Sequence, residues 1–142
     1  MKKNNGILNL VITAVVLGAT GCTTTHHPDS AALQGTWKGQ EVGANSAAPC
    51  YLVITGPSLE FRGANPNEWY KGTFELRENT TPRQALFTIS DCAAPKYVGK
   101  IAYAIYELKD GTLTMAGTEP GSASPPAAFN EADARQFVFK RE

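Results

Sequence analysis

Side chains able to carry out catalysis are scarce in this chain. It holds two histidines, His26 and His27, in a polar stretch before the first strand-like segment. Residues 33–142 contain no histidine, which excludes Ser–His and Cys–His nucleophilic chemistry and histidine-ligated metals from the part expected to fold. Among the carboxylates, Glu41 and Glu107 are the two that strand alternation could point inward as a general acid or base. We expect no enzymatic activity, no metal site and no cofactor.

The first residues have the pattern of a secretory signal. Lys2 and Lys3 precede an apolar run over residues 7–19, which is shorter than the ~20 residues of a membrane-spanning helix. The segment Gly18-Ala19-Thr20-Gly21-Cys22 resembles the lipobox of bacterial lipoproteins, although Ala19 stands where leucine is commoner. The resemblance implies a signal peptide over residues 1–21 and lipidation of Cys22. A plain secretory peptide with an incidental cysteine is the alternative.

A lipidated Cys22 predicts attachment to a membrane. Two acyl chains suffice for stable anchoring, since each buried methylene contributes ~0.8 kcal/mol. Residues 22–32 are polar and aperiodic, which predicts a flexible tether between lipid and domain. We therefore expect a lipid-anchored protein of the cell envelope. In a host with two membranes we expect the outer membrane, facing the periplasm, because Thr23 is not the aspartate that holds some lipoproteins at the inner one.

The charge balance gives no sign of a nucleic-acid partner. Removing residues 1–21 takes two lysines from the 13 basic residues and none from the 13 acidic ones, so the mature chain has a net charge of −2. A weakly negative chain without a basic run argues against binding to nucleic acid.

Two cysteines remain once Cys22 carries lipid. Outside the cytoplasm a pair such as Cys50 and Cys92 commonly forms a disulfide. Cys50 opens the predicted second strand and Cys92 follows the fifth, so both lie at the same rim of a barrel. A bond between them requires the loops over residues 43–49 and 92–97 to fold across the mouth. We predict this disulfide, with two buried free thiols as the alternative.

Short β-rich segments recur from Leu33 onward, with Gly, Pro, Asn and Asp between them. We predict eight strands, over residues 35–42, 50–55, 58–62, 69–76, 85–91, 98–108, 112–116 and 136–141. Their spacing indicates an all-β domain over residues 33–142, an antiparallel up-and-down barrel that leaves no open edge. A sandwich of two four-stranded sheets is the alternative. One long Pro-, Gly- and Ser-rich connection, residues 117–135, precedes the last strand.

Three residues are placed to close such a barrel. Gly35 and Trp37 share one face of the first strand, where a large ring flanked by glycines suits a crowded barrel end. Arg141 lies in the last strand. If the first and last strands pair, Arg141 can cover Trp37, an interaction worth ~0.5 to 2 kcal/mol.

Alternation also predicts which rings point into the lumen. An eight-stranded barrel is just wide enough to be filled by its own side chains or to hold one small ligand. A packed core without a ligand is the alternative to an apolar pocket. The residues that we predict for ligand binding are Tyr51, Tyr70, Phe74, Phe87, Tyr106 and Phe137.

Several short motifs together resemble a known family. They are Leu33-Gln34-Gly35-Thr36-Trp37-Lys38, Lys71-Gly72-Thr73-Phe74, Ala104-Ile105-Tyr106-Glu107-Leu108 with Gly111-Thr112-Leu113, and Phe139-Lys140-Arg141. Their order is similar to that of a bacterial lipocalin-like domain family of uncharacterised proteins. Gly35 and Trp37 match the Gly-x-Trp signature of lipocalins, and Arg141 matches the arginine that covers the tryptophan. The resemblance implies a calycin-type barrel and no established activity.

Two functions are compatible with these observations. The first is an anchored envelope protein that binds a small apolar ligand, by analogy with lipocalins. The alternative is a barrel with a filled core that contacts other proteins. A barrel with a tryptophan near its start and a cysteine opening the second strand is also similar to a family of periplasmic metalloprotease inhibitors. Those inhibitors use a free N-terminal segment to reach the protease zinc, whereas the N-terminus of this chain would be acylated.

Overall fold

A computed structural model describes residues 28–142 and shows an all-β domain, in which eight antiparallel strands close into a barrel. The predicted fold class is confirmed, and the alternative of a two-sheet sandwich is wrong. The predictions of a signal peptide over residues 1–21, of lipidation at Cys22 and of the first part of the tether, residues 22–27, concern residues outside the described range.

Each strand pairs with the next one along the chain, and the last pairs with the first. The strands are β1 (Gly35–Glu41), β2 (Cys50–Thr55), β3 (Ser58–Arg62), β4 (Trp69–Arg77), β5 (Arg83–Cys92), β6 (Ile101–Lys109), β7 (Thr112–Gly117) and β8 (Arg135–Arg141). The strand predicted to begin at Val98 begins three residues later, because Pro95–Tyr97 form a turn of 3₁₀ helix.

Strand direction gives the barrel two different ends. At the closed end, tight turns join β2 to β3 and β6 to β7. The second of these has positive φ at Asp110 and Gly111, the backbone of a type I′ hairpin. At the open end, the connections are long: residues 42–49, 63–68, 93–100 and 118–134. Any lumen therefore has its mouth at the open end.

A short helix, α1 (Asp29–Ala32), packs at the closed end. The sequence predicted a flexible tether through residue 32, whereas Asp29 is only 6% exposed and Leu33 belongs to the core. Among residues 28–142 there is no helix with the length and apolar character that crossing a membrane requires.

Candidate functional site

The closed end is sealed by contacts between the first and last strands. Trp37 pairs with Arg141 across the β1–β8 ladder and is 1% exposed. Its indole Nε1 donates to the Leu33 carbonyl at 2.9 Å, while the guanidinium of Arg141 lies 4.5 Å from the ring centroid. Arg141 also donates to the carbonyls of Ala32, at 2.6 Å, and Gln34. These bonds attach the segment before β1 to the end of β8.

Gly35 is required by the same arrangement. Its φ is +113°, a conformation that side chains rarely adopt, and a Cβ at this position would lie 2.9 Å from Nη1 of Arg141. The glycine therefore leaves room for the guanidinium over Trp37.

A buried polar group lies beside this seal. The carboxylate of Asp29 accepts hydrogen bonds from the Tyr106 hydroxyl at 2.8 Å and from Nη1 of Arg83 at 2.7 Å. The Asp29 backbone N–H donates to Glu78 at 2.5 Å. Burial, and then the bond to Asp29, raise the pKa of Tyr106 above the ordinary tyrosine value. This group fixes α1 on the barrel.

Tyr106 therefore belongs to the floor and does not line the open cavity for which it was predicted. It is 2% exposed, and its hydroxyl is used by Asp29. Around it, the closed half of the lumen is packed and leaves only about 10 Å³ of free space. The residues that fill this half are Leu33, Leu52, Ile54, Leu59, Phe74, Leu76, Ala85, Tyr106, Leu113 and Met115.

The open half of the lumen is hollow. A cavity of about 390 Å³ extends from the packed floor to the mouth. Aromatic rings form much of its wall: Phe61 contacts Phe137 edge-on, with centroids 5.2 Å apart, and lies 6.3 Å from Tyr70. The aliphatic part includes Leu52, Leu59, Ala85, Ile89, Ala102, Ala104 and Met115. The volume falls within the roughly 300–1,000 Å³ typical of small-molecule sites.

Four of the six residues predicted for ligand binding line this cavity: Tyr70, Phe74, Phe87 and Phe137. Tyr51 does not. It pairs with Lys38 on the outer face, and the Lys38 ammonium lies 5.7 Å from its ring centroid. The prediction failed because both faces of β2 are apolar, so alternation alone could not choose between Tyr51 with Val53 and Leu52 with Ile54. The pairing of Trp37 with Leu52 places the latter set inside.

An ion-pair cluster crosses the rim of the open end. Arg135, at the start of β8, donates from Nε and Nη2 to Glu41 at 2.8 and 2.6 Å, and from Nη1 and Nη2 to Glu68. The bond from Arg135 holds the pKa of Glu41 below its usual value, and the two carboxylates raise that of Arg135. The guanidinium also lies 5.1 Å from the Phe137 centroid. The cluster therefore joins β1, β8 and the β3–β4 loop.

Tyr97, Glu119 and Asp133 also line the mouth of the cavity. The Tyr97 hydroxyl donates to the Glu119 carboxylate, and the Tyr97 and Tyr70 rings are 6.3 Å apart. Burial, and then the nearby Glu68, raise the pKa of Tyr70. Neither of the carboxylates expected to point inward is within the cavity: Glu41 is held by Arg135 at the rim, and Glu107 is exposed on β6.

The predicted disulfide is absent: Cys50 and Cys92 are both free and buried. They do lie at the same end of the barrel, but β3 and β4 stand between their strands. Three strand spacings of about 4.8 Å each separate them, whereas a disulfide needs Cα atoms ~5.5 Å apart. Desolvation raises the pKa of the Cys50 thiol.

A groove of about 640 Å³ lies at the closed end between α1 and the Gly56–Pro57 turn, but it is open to solvent along its length. Within residues 28–142, no cluster of three or more His, Cys, Asp or Glu side chains could hold a metal ion. The lumen cavity is the better enclosed site.

These features define a class: a small antiparallel β-barrel with one sealed end, one open end and an aromatic cavity between them. Comparison of the chain with protein-family models, with curated proteins and with solved structures found no match.

Proposed function

We propose that this protein is a lipid-anchored lipoprotein of the cell envelope whose barrel binds a small apolar molecule. The observation that supports the proposal best is the division of the lumen into a packed half and a hollow half. A barrel that served only as a rigid scaffold would gain stability from filling its interior, because empty apolar space loses packing contacts.

The wall of the cavity is suited to an apolar guest. Phe61, Phe74, Phe87, Phe137 and Phe139 present ring surface to the interior, and the polar groups lie at the mouth. Enclosure by rings with few polar contacts is the usual composition of small-molecule sites. The match of Gly35, Trp37 and Arg141 to the signature of lipocalins supports the same function by analogy.

The anchor proposed at Cys22 is consistent with access to this cavity. The chain enters the domain at the closed end, through α1, and the six peptide steps from Cys22 to Pro28 span at most about 20 Å. The mouth lies at the other end of the barrel. A ligand therefore reaches the cavity without the anchored end having to open.

A probe that fluoresces in apolar surroundings tests the binding function. We use the full chain carrying Cys22→Ser, so that no acyl chain of the protein competes for the cavity. N-phenyl-1-naphthylamine, an uncharged probe, is expected to bind saturably with one probe per chain. Ala102→Trp, which places a ring inside the cavity, should abolish binding.

The matched control is Thr88→Trp. Thr88 is exposed on β5 beside the same region of the sheet, so this change adds the same ring to the outer face. It should leave probe binding unchanged. Binding that survives Ala102→Trp, or no saturable binding by the parent chain, would refute the cavity as a ligand site. Incorporation of labelled palmitate by the wild type and not by Cys22→Ser tests the anchor separately.

A further inference from the structure

The charges around the mouth carry information about the ligand's polar group. Within residues 28–142, the ionisable acids and bases that line the cavity are Glu68, Glu119, Asp133 and Arg135. Three are acidic and one is basic, which gives the lining a net charge of −2. The interior below them is apolar, so a ligand's charged group could be hydrated only at this rim.

Arg135 cannot serve as the partner of an anionic ligand. A guanidinium has five N–H donors, and four of these already donate to Glu41 and Glu68. Two carboxylates more than neutralise its charge. An incoming carboxylate would have to displace one of them and would gain no net attraction.

The remaining lysines near the mouth do not supply a free cation inside it. The Lys96 ammonium lies 4.6 Å from the Tyr97 centroid but is fully exposed to water, and Lys100 packs its aliphatic chain near Gly121. Neither side chain lines the cavity.

The residues at the mouth instead favour a positively charged group. The Tyr97 hydroxyl orients the Glu119 carboxylate, and Asp133 lines the same cavity. The ring of Tyr70 also lies there, 6.3 Å from that of Tyr97, which already carries the Lys96 ammonium, and aromatic faces attract cations. Arg135 already illustrates this preference, since it is held between two carboxylates and over the ring of Phe137.

We infer that the cavity selects an amphiphile with a cationic head, such as an alkyl amine, and discriminates against the carboxylate of a fatty acid. This inference rests on the proposed binding function and specifies its ligand class. The apolar chain would occupy the hollow half of the lumen, with the ammonium at the rim beside Glu119 and Asp133.

Three ligands of equal chain length test the inference: decylamine, decanol and decanoate. Each is titrated against N-phenyl-1-naphthylamine bound to the Cys22→Ser chain, at pH 7 in 20 mM salt. We expect decylamine to displace the probe at least about fivefold more tightly than decanoate, with decanol between them. In 300 mM salt the ratio should shrink, because exposed rim charges are screened.

Variants of Glu119 and Asp133 test whether the rim causes the preference for the amine. The double variant Glu119→Gln with Asp133→Asn should remove most of the amine preference, and Glu119→Lys with Asp133→Lys should reverse it. Glu107→Gln is the control, because Glu107 is exposed on β6 and does not line the cavity. It should leave the ratio unchanged.

The outcomes separate the inference from the function on which it rests. If decanoate binds as tightly as decylamine or more tightly, the head-group preference is wrong while the apolar site stands. If the preference is present but unchanged in both double variants, the rim is not its origin and the inference is again wrong. If the probe binds saturably but none of the three ligands displaces it, the inference is wrong and the apolar site stands. If the probe itself does not bind saturably, the proposed binding function fails.

Discussion

Arg141 and Trp37, at opposite ends of the folded chain, are direct neighbours: the guanidinium carbon lies 4.5 Å from the centroid of the indole ring. The same guanidinium donates to the carbonyls of Ala32 and Gln34. One side chain therefore covers the floor of the barrel and holds the segment that leads into β1. The β1–β8 seam depends on backbone pairing and on this contact together.

Replacing Arg141 should destabilise the domain. Arg141→Met keeps an unbranched apolar stem but removes two hydrogen bonds and the cation over the ring, so we expect a loss of about 1–3 kcal/mol in the free energy of unfolding. Arg141→Lys should restore less than half of this loss, because an ammonium cannot span both carbonyls as a planar guanidinium does. Urea unfolding followed by tryptophan fluorescence measures both. Equal stability of the three proteins would show that backbone pairing alone closes the seam.

Tyr106→Phe should show how much the hydrogen bond from Tyr106 to Asp29 contributes to stability. At pH 7 the change leaves the Asp29 carboxylate with one donor fewer, which costs about 1–3 kcal/mol. Because the pKa of Tyr106 is raised on folding, its hydroxyl contributes stability that is complete below the unfolded tyrosine pKa of about 10 and is lost as the pH rises above it. The stability difference between wild type and Tyr106→Phe should therefore shrink between pH 9 and 11.

The control for this series is Tyr51→Phe, which removes a hydroxyl from a ring on the outer face and should change stability by less than about 0.5 kcal/mol. Urea unfolding at each pH provides the measurement. A difference that stays constant up to pH 11 would mean that Tyr106 acts through packing and not through its bond to Asp29.

The strands and their order could be predicted from local sequence because each has a run of apolar residues ending at turn formers. The bounds of β2 and β3 agree with the prediction at both ends. Which side chains of a strand point into the barrel could be predicted only where one face of the strand is polar. For this reason Phe87 was placed correctly and Tyr51 was not.

The polar contacts at the two ends of the barrel could not be predicted, because the residues that form them are far apart in sequence. Asp29 meets Arg83 and Tyr106 across 54 and 77 positions, and Arg135 meets Glu41 across 94. No local pattern distinguishes Asp29 from a residue of a solvated spacer. Only the closure of the barrel brings these charges together.

The two cysteines should behave as buried thiols. In the Cys22→Ser chain, Cys50 and Cys92 are the remaining cysteines, and both are under 10% exposed. We expect little reaction with a thiol reagent in the folded protein, because burial raises the pKa of Cys50 and limits access. Unfolding in denaturant without reductant should release two reactive thiols per chain. If a chain isolated from an oxidising compartment releases no reactive thiols, the result would contradict the structure and support the predicted disulfide.

The ion-pair cluster at the rim should give an acid-dependent contribution to stability. The pKa of Glu41 is lowered by its bond to Arg135, so its contribution is complete above the unfolded value of 4.5 and is lost as the pH falls through the lower folded pKa. Because the Arg135 side chain is 47% exposed, we expect Glu41→Gln to cost no more than about 1 kcal/mol at pH 7. The cost should decrease in 300 mM salt and shrink as the pH falls below 4.5.

Glu107→Gln supplies the comparison for this experiment, since it removes an equal charge from an exposed position on β6. Urea unfolding at pH 7, 5, 4 and 3 gives the free-energy difference for each variant. If the loss in Glu41→Gln is as large at pH 3 as at pH 7, the rim residue acts through its shape and neutral hydrogen bonds. If it follows the pH as expected, the charge itself links β1 to β8 at the mouth.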